Sequence, residues 1–372
     1  MKKIEFNLDE MTPLERSKAI ARGESFDRLP CNPSLGEQPT RLIGVTVSQY
    51  LNAPRIMAEA QIAAFKMYGQ DGVGVGPDQF GLAEALGAKI RYSIDDIPQV
   101  GEPYIKKVED IEKVKIIDPK KDGRFPLYLE ALEILQDRIG SLVKVGTGIG
   151  GPFTTAALLR GITDFLKDMK KNPAAVHRLL EATTENILRY MEVCWEKGFV
   201  SSIGEPFASN NVISPRYFRE FVFPYLQRIG SWFQEMMGKG YSLHICGRTQ
   251  NVWQDIADAG AASFSLDNVE DLAEAKRIIG CRMALKGNVP PVEVMLHGKR
   301  LDIIGAVKDC IMKAYDNPKG FSLGTGCRVP LDTKVENIMA LMEGARIYGK
   351  MPLKKPSRIK GIPQKTCQEL IN

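Results

Sequence analysis

The chain has 372 residues, of which 44% are apolar and 26% charged, with a net charge of +5. That length accommodates one large α/β barrel or two smaller domains, and the sequence contains no run of about 18 or more apolar residues that would span a membrane. The start, Met1-Lys2-Lys3-Ile4-Glu5-Phe6, turns polar at once without a signal-peptide core, so a cytoplasmic location is expected. Lysines are spread along helical faces, in small patches such as Lys167 with Lys170 and Lys171, which is the pattern of a solvated surface and not of a nucleic-acid footprint.

In chain order, residues 1–26 carry a helix start at Thr12-Pro13-Leu14-Glu15-Arg16 and are expected to cap one end of the fold. Strand-like runs follow at 27–33, 72–77, 142–148, 199–205, 240–247, 261–268, 282–288 and 320–327. Between them lie amphipathic helical patterns over 54–68, 126–138, 173–197, 215–237, 251–259 and 269–279. After the second strand, 88–94 and 98–108 have the character of an inserted hairpin. Strand–helix alternation argues for a parallel sheet, and eight repeats of it for a closed (β/α)8 barrel over 27–350, with a tail at 351–372.

In such a barrel, chemistry sits at the C-terminal ends of the strands. Those ends carry Asp78, Thr147, Glu205, His244 with Cys246, Asp267, Asn288 and Cys327. In an extended strand His244 and Cys246 face one side together. One nitrogen and two sulfurs suit zinc, and three protein ligands leave a position open for chemistry. A purely structural zinc would want four fixed Cys or His ligands, and no fourth lies at any expected rim position. Glu205, set in an apolar strand, is expected either as a fourth ligand or as a proton-donating acid. Asp78 is a candidate catalytic acid, and Thr147, Asp267 and Asn288 are candidates for substrate contact or for orienting the ligands. The other cysteines do not form a disulfide framework: Cys31, Cys194, Cys281 and Cys310 read as small buried side chains and Cys367 as exposed. His177 and His297 fall in helical patterns and read as ordinary surface or core residues.

Leu243-His244-Ile245-Cys246-Gly247 with Gly324-Thr325-Gly326-Cys327 resembles the His-x-Cys…Cys zinc signature of corrinoid-dependent methyltransferases in the uroporphyrinogen decarboxylase superfamily. Further likeness lies in Asp78-Gln79-Phe80 through Ala88, Gly150-Gly151-Pro152-Phe153-Thr154, Glu205-Pro206-x-Ala208-Ser209, Ser214-Pro215-x-x-Phe218, Lys286-Gly287-Asn288-Val289 and Val335-Glu336-Asn337-Ile338. The resemblance implies a (β/α)8 barrel, Zn2+ held by His244, Cys246 and Cys327, and methyl exchange between a small molecule and methylcobalamin or cob(I)alamin. The chain has no Asp-x-His-x-x-Gly corrinoid signature, so the corrinoid is expected on a partner protein docking at the barrel mouth; a homodimer is left open.

Two directions of transfer fit. The favoured one on general likeness is O-demethylation of a methoxylated aromatic or similar methyl ether, and the alternative is methylation of a thiol of the coenzyme M type. Decarboxylation of a tetrapyrrole fits less well. The stretch 33–41 offers a single arginine, Arg41, beside Glu37, too little positive charge for several carboxylates. A non-catalytic zinc-binding barrel is the remaining option.

Overall fold

The computed structural model describes residues 8–353. Nine strands are formed: β1 Val73–Gly74, β2 Lys89–Arg91, β3 Gln99–Glu102, β4 Val145–Gly150, β5 Val200–Gly204, β6 Tyr241–His244, β7 Ala261–Ser265, β8 Ala284–Val289 and β9 Phe321–Thr325. Seven make one parallel sheet in the order β1-β4-β5-β6-β7-β8-β9, while β2 and β3 pair antiparallel as the expected hairpin insertion. Helices cross over between successive sheet strands, as parallel pairing requires.

The eighth place in the ring is not a regular strand, contrary to the expectation for 27–33. Pro30 and Pro33 lack the N–H groups a ladder needs. Cys31 forms a single parallel bridge with Leu323 of β9. On its other side the Cys31 carbonyl accepts from the Asp71 N–H at 2.9 Å, just ahead of β1. The segment thus fills the gap between β9 and β1 and completes the α/β barrel with few backbone bonds.

A buried ionic cluster supplies what the ladder lacks. Asp71 accepts from the Cys31 N–H at 2.7 Å and from Arg28 at 2.7 Å, and it also contacts Arg16. Arg16, on the capping helix Pro13–Arg22, binds both oxygens of Asp27, at 2.6 and 2.7 Å. Asp9 joins Arg28 and Arg346, tying in the last helix, Val335–Tyr348. Arg16 is fully buried and Arg28 nearly so. The N-terminal cap is therefore bolted to the barrel floor.

The helix expected over 215–237 is two helices, Pro215–Phe221 and Phe223–Met237. Pro224 explains the break, because its ring cannot pack against the carbonyl four residues earlier and it has no N–H to donate. The helices Pro54–Tyr68, Phe125–Ile139 and Pro173–Glu196 lie where the periodicity placed them. Cys31, Cys194 and Cys310 are buried as expected and Cys281 is half-buried; Cys367 and most of the tail lie outside the described residues. No described helix is long and apolar enough to cross a membrane.

Along the sheet strands, residues alternate between two faces. Ile149, Ile203, Leu243, Phe264, Leu285 and Leu323 point outward into the packed core under the helices. The inward set is small: Gly146 and Gly148 on β4, Ser202 and Gly204 on β5, Ser242 on β6, Ser263 and Ser265 on β7, and Ser322 on β9, all half-buried. His244 and Lys286 are the large side chains among them. A barrel core of this kind is usually plugged by bulky branched residues; here short side chains occupy most of the inward positions.

The buried cluster makes two predictions. Replacing Arg16 with Met leaves Asp27 without its counter-charge and Asp71 with Arg28 alone, and is expected to cost about 3–5 kcal/mol in a urea titration. Burial alone would raise the Asp9 and Asp27 carboxyls, but the arginines outweigh it and hold both below their usual range. Their stabilisation is therefore complete above an unfolded value of about 3.9 and is lost as pH falls through the lower folded values. Acid unfolding monitored by circular dichroism is expected to start below that point, and the Arg16→Met protein should show a weaker acid dependence.

Candidate metal centre

His244 is the last residue of β6, and Cys246 lies just beyond the paired segment. The in-out alternation nevertheless continues, with Leu243 and Ile245 fully buried and His244 and Cys246 half-buried. Gly247 then turns the chain at φ 74°, a conformation natural to glycine. Cys327 follows β9 after Gly326. Its sulfur reaches across β7 and β8 to the other two ligands because the sheet is curled into a ring.

The donor atoms of His244, Cys246 and Cys327 all lie within 4.8 Å of one another. Cys246 Sγ is 3.3 Å from His244 Nε2 and 3.7 Å from Cys327 Sγ. Sulfurs in a disulfide sit at about 2.05 Å, so the pair is not bonded. Two sulfurs on a tetrahedral zinc with bonds of about 2.3 Å stand about 3.8 Å apart. The observed spacing fits a zinc ion held by these three residues. His244 Nδ1 donates to the Ser265 carbonyl at 3.0 Å, which turns Nε2 towards the sulfurs and fixes the tautomer a metal needs. The hydrogen bond from Cys246, with help from His244, holds Cys327 well below the usual thiol range, and the same hydrogen bond together with burial pushes Cys246 up.

Asp267 braces this corner. Its carboxylate accepts from the Gly247 N–H at 2.7 Å and the Val269 N–H at 3.1 Å. Glu270, which the sequence reading did not single out, accepts from Thr249 N–H and Oγ1, Gln250 N–H and Trp253 Nε1, and so fixes the loop after Cys246. Asn288 is turned towards the loop after β7. Its amide donates to the Asp267 and Glu270 carbonyls at 2.9 and 2.8 Å, and its oxygen accepts from the Cys310 thiol on the helix Arg300–Ala314. Thr147 is likewise withdrawn, buried with its hydroxyl 2.8 Å from that of Tyr190 on the helix Pro173–Glu196.

Glu205 is not part of the donor group. It is fully buried, and its oxygens accept from the Phe153 N–H at 3.0 Å, the Thr154 N–H at 2.8 Å and the Thr154 hydroxyl at 2.7 Å. These donors are the unsatisfied first turn of the helix Pro152–Arg160, where a carboxylate is well placed. Burial raises its carboxyl to about 7, with the Thr154 and Phe153 bonds opposing the shift. Through its own N–H, which donates to the His244 carbonyl at 2.8 Å, Glu205 fastens the end of β5 beside the metal ligand.

Asp78 stands after β1 with φ 48°, an uncommon backbone for a residue with a side chain. The turn is held by its Oδ1, which accepts from the Phe80 N–H at 2.6 Å, and by its carbonyl, which accepts from the Gly150 N–H. Burial pushes its carboxyl up to about 7, with Arg328 pulling the other way and Glu37 adding to the rise. Arg328, next to Cys327, is paired to both oxygens of Glu37 at 3.1 and 2.8 Å. Arg41 is engaged by Asp95 and Asp332. A cavity of about 610 Å³ lies between these pairs, lined by Glu37, Arg41, Asp95, Arg328 and Leu331 among others. His177 is accounted for in the helix layer, bonded to the Tyr225 hydroxyl and stacked on Phe221.

The chain is thus a parallel α/β barrel with a sulfur-rich group of three possible metal ligands at its strand ends. The uroporphyrinogen decarboxylase family model matches residues 12–348, and the chain belongs to that family. Similar curated proteins are methyltransferases. The methylated-thiol–coenzyme M methyltransferase of Methanosarcina mazei is 25% identical over 346 residues, covering 91% of this chain and 90% of that protein. The methylcobamide:CoM methyltransferase MtaA of Methanosarcina barkeri is 28% identical over 348 residues, covering 92% and 99%. A solved structure of a methyltransferase from Methanosarcina mazei superposes with a TM-score of 0.82 at 27% identity, covering 91% of this chain and 99% of that one.

Metal content after purification tests the ligand set. Cys246→Ala and Cys327→Ala are each expected to lower zinc affinity by about 100-fold or more. Glu205→Gln is expected to keep zinc at one ion per chain while losing about 2 kcal/mol of stability through its weakened helix contacts. Loss of zinc from Glu205→Gln would restore that carboxylate as a ligand.

Proposed function

We propose that the protein is a zinc-dependent methyltransferase that moves a methyl group between the cobalt of a corrinoid, carried on a separate protein, and the sulfur of a small thiol. The observation that carries this reading is the His244–Cys246–Cys327 group gathered at the C-terminal ends of β6 and β9. The names of the methylcobamide:CoM relatives support the same partner and acceptor chemistry. When bound, zinc supplies Lewis acidity that keeps a coordinated thiol deprotonated near neutral pH.

In the forward direction the substrate thiolate attacks the methyl carbon, a carbon–sulfur bond forms, and the carbon–cobalt bond breaks with its electron pair left on cobalt. The thiol proton is released beforehand, and we assign its handling to Asp78, which bridges to Ile149 at the strand ends and whose carboxyl burial pushes up to about 7. His244 contributes a fixed ring orientation through the Ser265 carbonyl. Glu205 is assigned a positioning role, locking β5 and the helix Pro152–Arg160 around the ligand strand. The corrinoid protein covers the mouth, because the methyl group must come within bonding distance of the bound sulfur.

The methyl-ether direction raised from the sequence uses the same ligands and stands as the second reading, favoured by motif likeness around 326–333 alone. Decarboxylation of a tetrapyrrole is disfavoured by charge: Arg41 and Arg328 are already matched by Asp95, Asp332 and Glu37, which leaves little cationic surface for several carboxylates.

The deciding assay incubates the protein with methylcobalamin and a small thiol and follows formation of thioether and cob(I)alamin. Chelating the zinc is expected to slow the reaction by about 100-fold or more, with recovery on adding zinc back. Demethylation of a methoxyaromatic by cob(I)alamin, with no thiol methylation, would reverse the assignment.

A further inference from the structure

The two cysteine arms of the metal centre lie on strands that are not neighbours. Cys246 extends β6 and Cys327 follows β9, with β7 and β8 between them. Whatever holds the sulfurs 3.7 Å apart must therefore pass through those two strands or their loops. The loop 267–270, after β7, supplies none of the three donors, yet it meets both arms. On one side the Asp267 carboxylate takes the Gly247 N–H, and Glu270 takes groups of Thr249, Gln250 and Trp253. On the other side the loop packs against Gly326, where an added Cβ would come within 2.7 Å of Asn268 Cβ and 2.9 Å of Asn268 Cα. Any larger residue at 326 would force the Cys327 arm and the loop apart.

One buried side chain fixes this loop. Asn288 Nδ2 donates to the Asp267 carbonyl at 2.9 Å and to the Glu270 carbonyl at 2.8 Å, gripping both ends of it. Asn288 Oδ1 accepts from the Cys310 thiol, which orients the amide. The backbone of the same residue belongs to the other arm. In the β8–β9 register Asn288 pairs with Gly324 and Val289 with Thr325, and the Val289 carbonyl takes the Gly326 N–H at 2.9 Å. Asn288 is thus joined by its backbone to the strand that delivers Cys327 and by its side chain to the loop that holds Cys246.

We propose that Asn288 is a positioning residue of the metal centre: acting through the loop 267–270, its amide sets the separation of the Cys246 and Cys327 sulfurs. The inference rests on the zinc-ligand part of the methyl-transfer reading and is independent of which group is methylated. A separation of about 3.8 Å suits two thiolates on one tetrahedral ion, so a pair released from that spacing holds the ion with one sulfur displaced. Residues that orient metal ligands commonly carry about 10–100-fold in affinity. Asn288 stands one step further out, which places its effect at the lower end of that range.

The test replaces zinc with Co(II), whose visible d–d bands report tetrahedral geometry and whose near-ultraviolet thiolate bands report the bound sulfurs. Asn288→Asp keeps the size of the side chain but, as a carboxylate, has no N–H to offer the two carbonyls. It is expected to weaken Co(II) and zinc affinity by about tenfold and to lower both sets of bands. Gly326→Ala leaves Asn288 untouched and strains the loop from the Cys327 side, and it is expected to change the spectrum in the same way. Cys310→Ala is the control: it removes a bond to Asn288 without touching the loop, and should lower the thermal unfolding midpoint with the spectrum kept. A wild-type spectrum in Asn288→Asp overturns the proposal, and so does an equal loss in Cys310→Ala, which would mark general loosening of the barrel. If Asn288→Asp does not fold, Gly326→Ala decides, and a wild-type spectrum there overturns the proposal. Absence of thiolate bands in wild type would remove the ligand set and the proposal with it, whereas a failure to methylate thiols sinks the methyl-transfer reading and leaves this result standing.

Discussion

Proline at positions 30 and 33 sets the problem that the rest of this barrel answers. A ring of parallel strands must close, and the segment that has to close it can offer few backbone donors. The closure is carried instead by Asp71, which takes the Cys31 N–H and two arginines in one buried carboxylate. Backbone hydrogen bonds are spread along a strand, whereas this ionic joint is concentrated at one point. The first and last described helices converge there, with Arg16 and Arg28 from the N-terminal side and Arg346 from the helix Val335–Tyr348. Because β9 rests against that segment, the joint also determines where Cys327 lies relative to His244.

The metal centre depends on that closure in a second way. Its ligands come from β6 and from the loop after β9, three strands apart, and nothing local in the sequence brings them together. Local structure does orient them. The Ser265 carbonyl holds the imidazole, Asp267 holds the residue after Cys246, and Glu205 joins the end of β5 to the histidine backbone. Each holder sits on a neighbouring strand or its loop, so the site is an outcome of sheet register more than of loop conformation.

Much of the architecture was legible in the sequence because parallel strands and their helices leave strong periodic marks. Proline defeated the pattern at both places where it failed. Pro224 divides what the hydrophobic spacing presents as one helix, and Pro30 with Pro33 reduces an apparent strand to a bridge. At the site, the grouping of His244, Cys246 and Cys327 was legible from residue chemistry and strand ends alone. The carboxylate and amide residues were not, since their roles depend on what faces them. Glu205 found a helix N-terminus, Asn288 turned towards two carbonyls, and Thr147 met a tyrosine.

The interior of this barrel is built from hydroxymethyl groups and bare backbone, with the packing density carried by the layer between strands and helices. Such an interior can be resized in steps of one or two heavy atoms, by exchanging serine, glycine and alanine at Ser202, Ser242, Ser263 or Ser322, without disturbing the outer core. Such exchanges would change the length and shape of the molecule the barrel admits while keeping both the fold and the His244–Cys246–Cys327 group. The cavity behaves as an adjustable mould around a fixed reactive point.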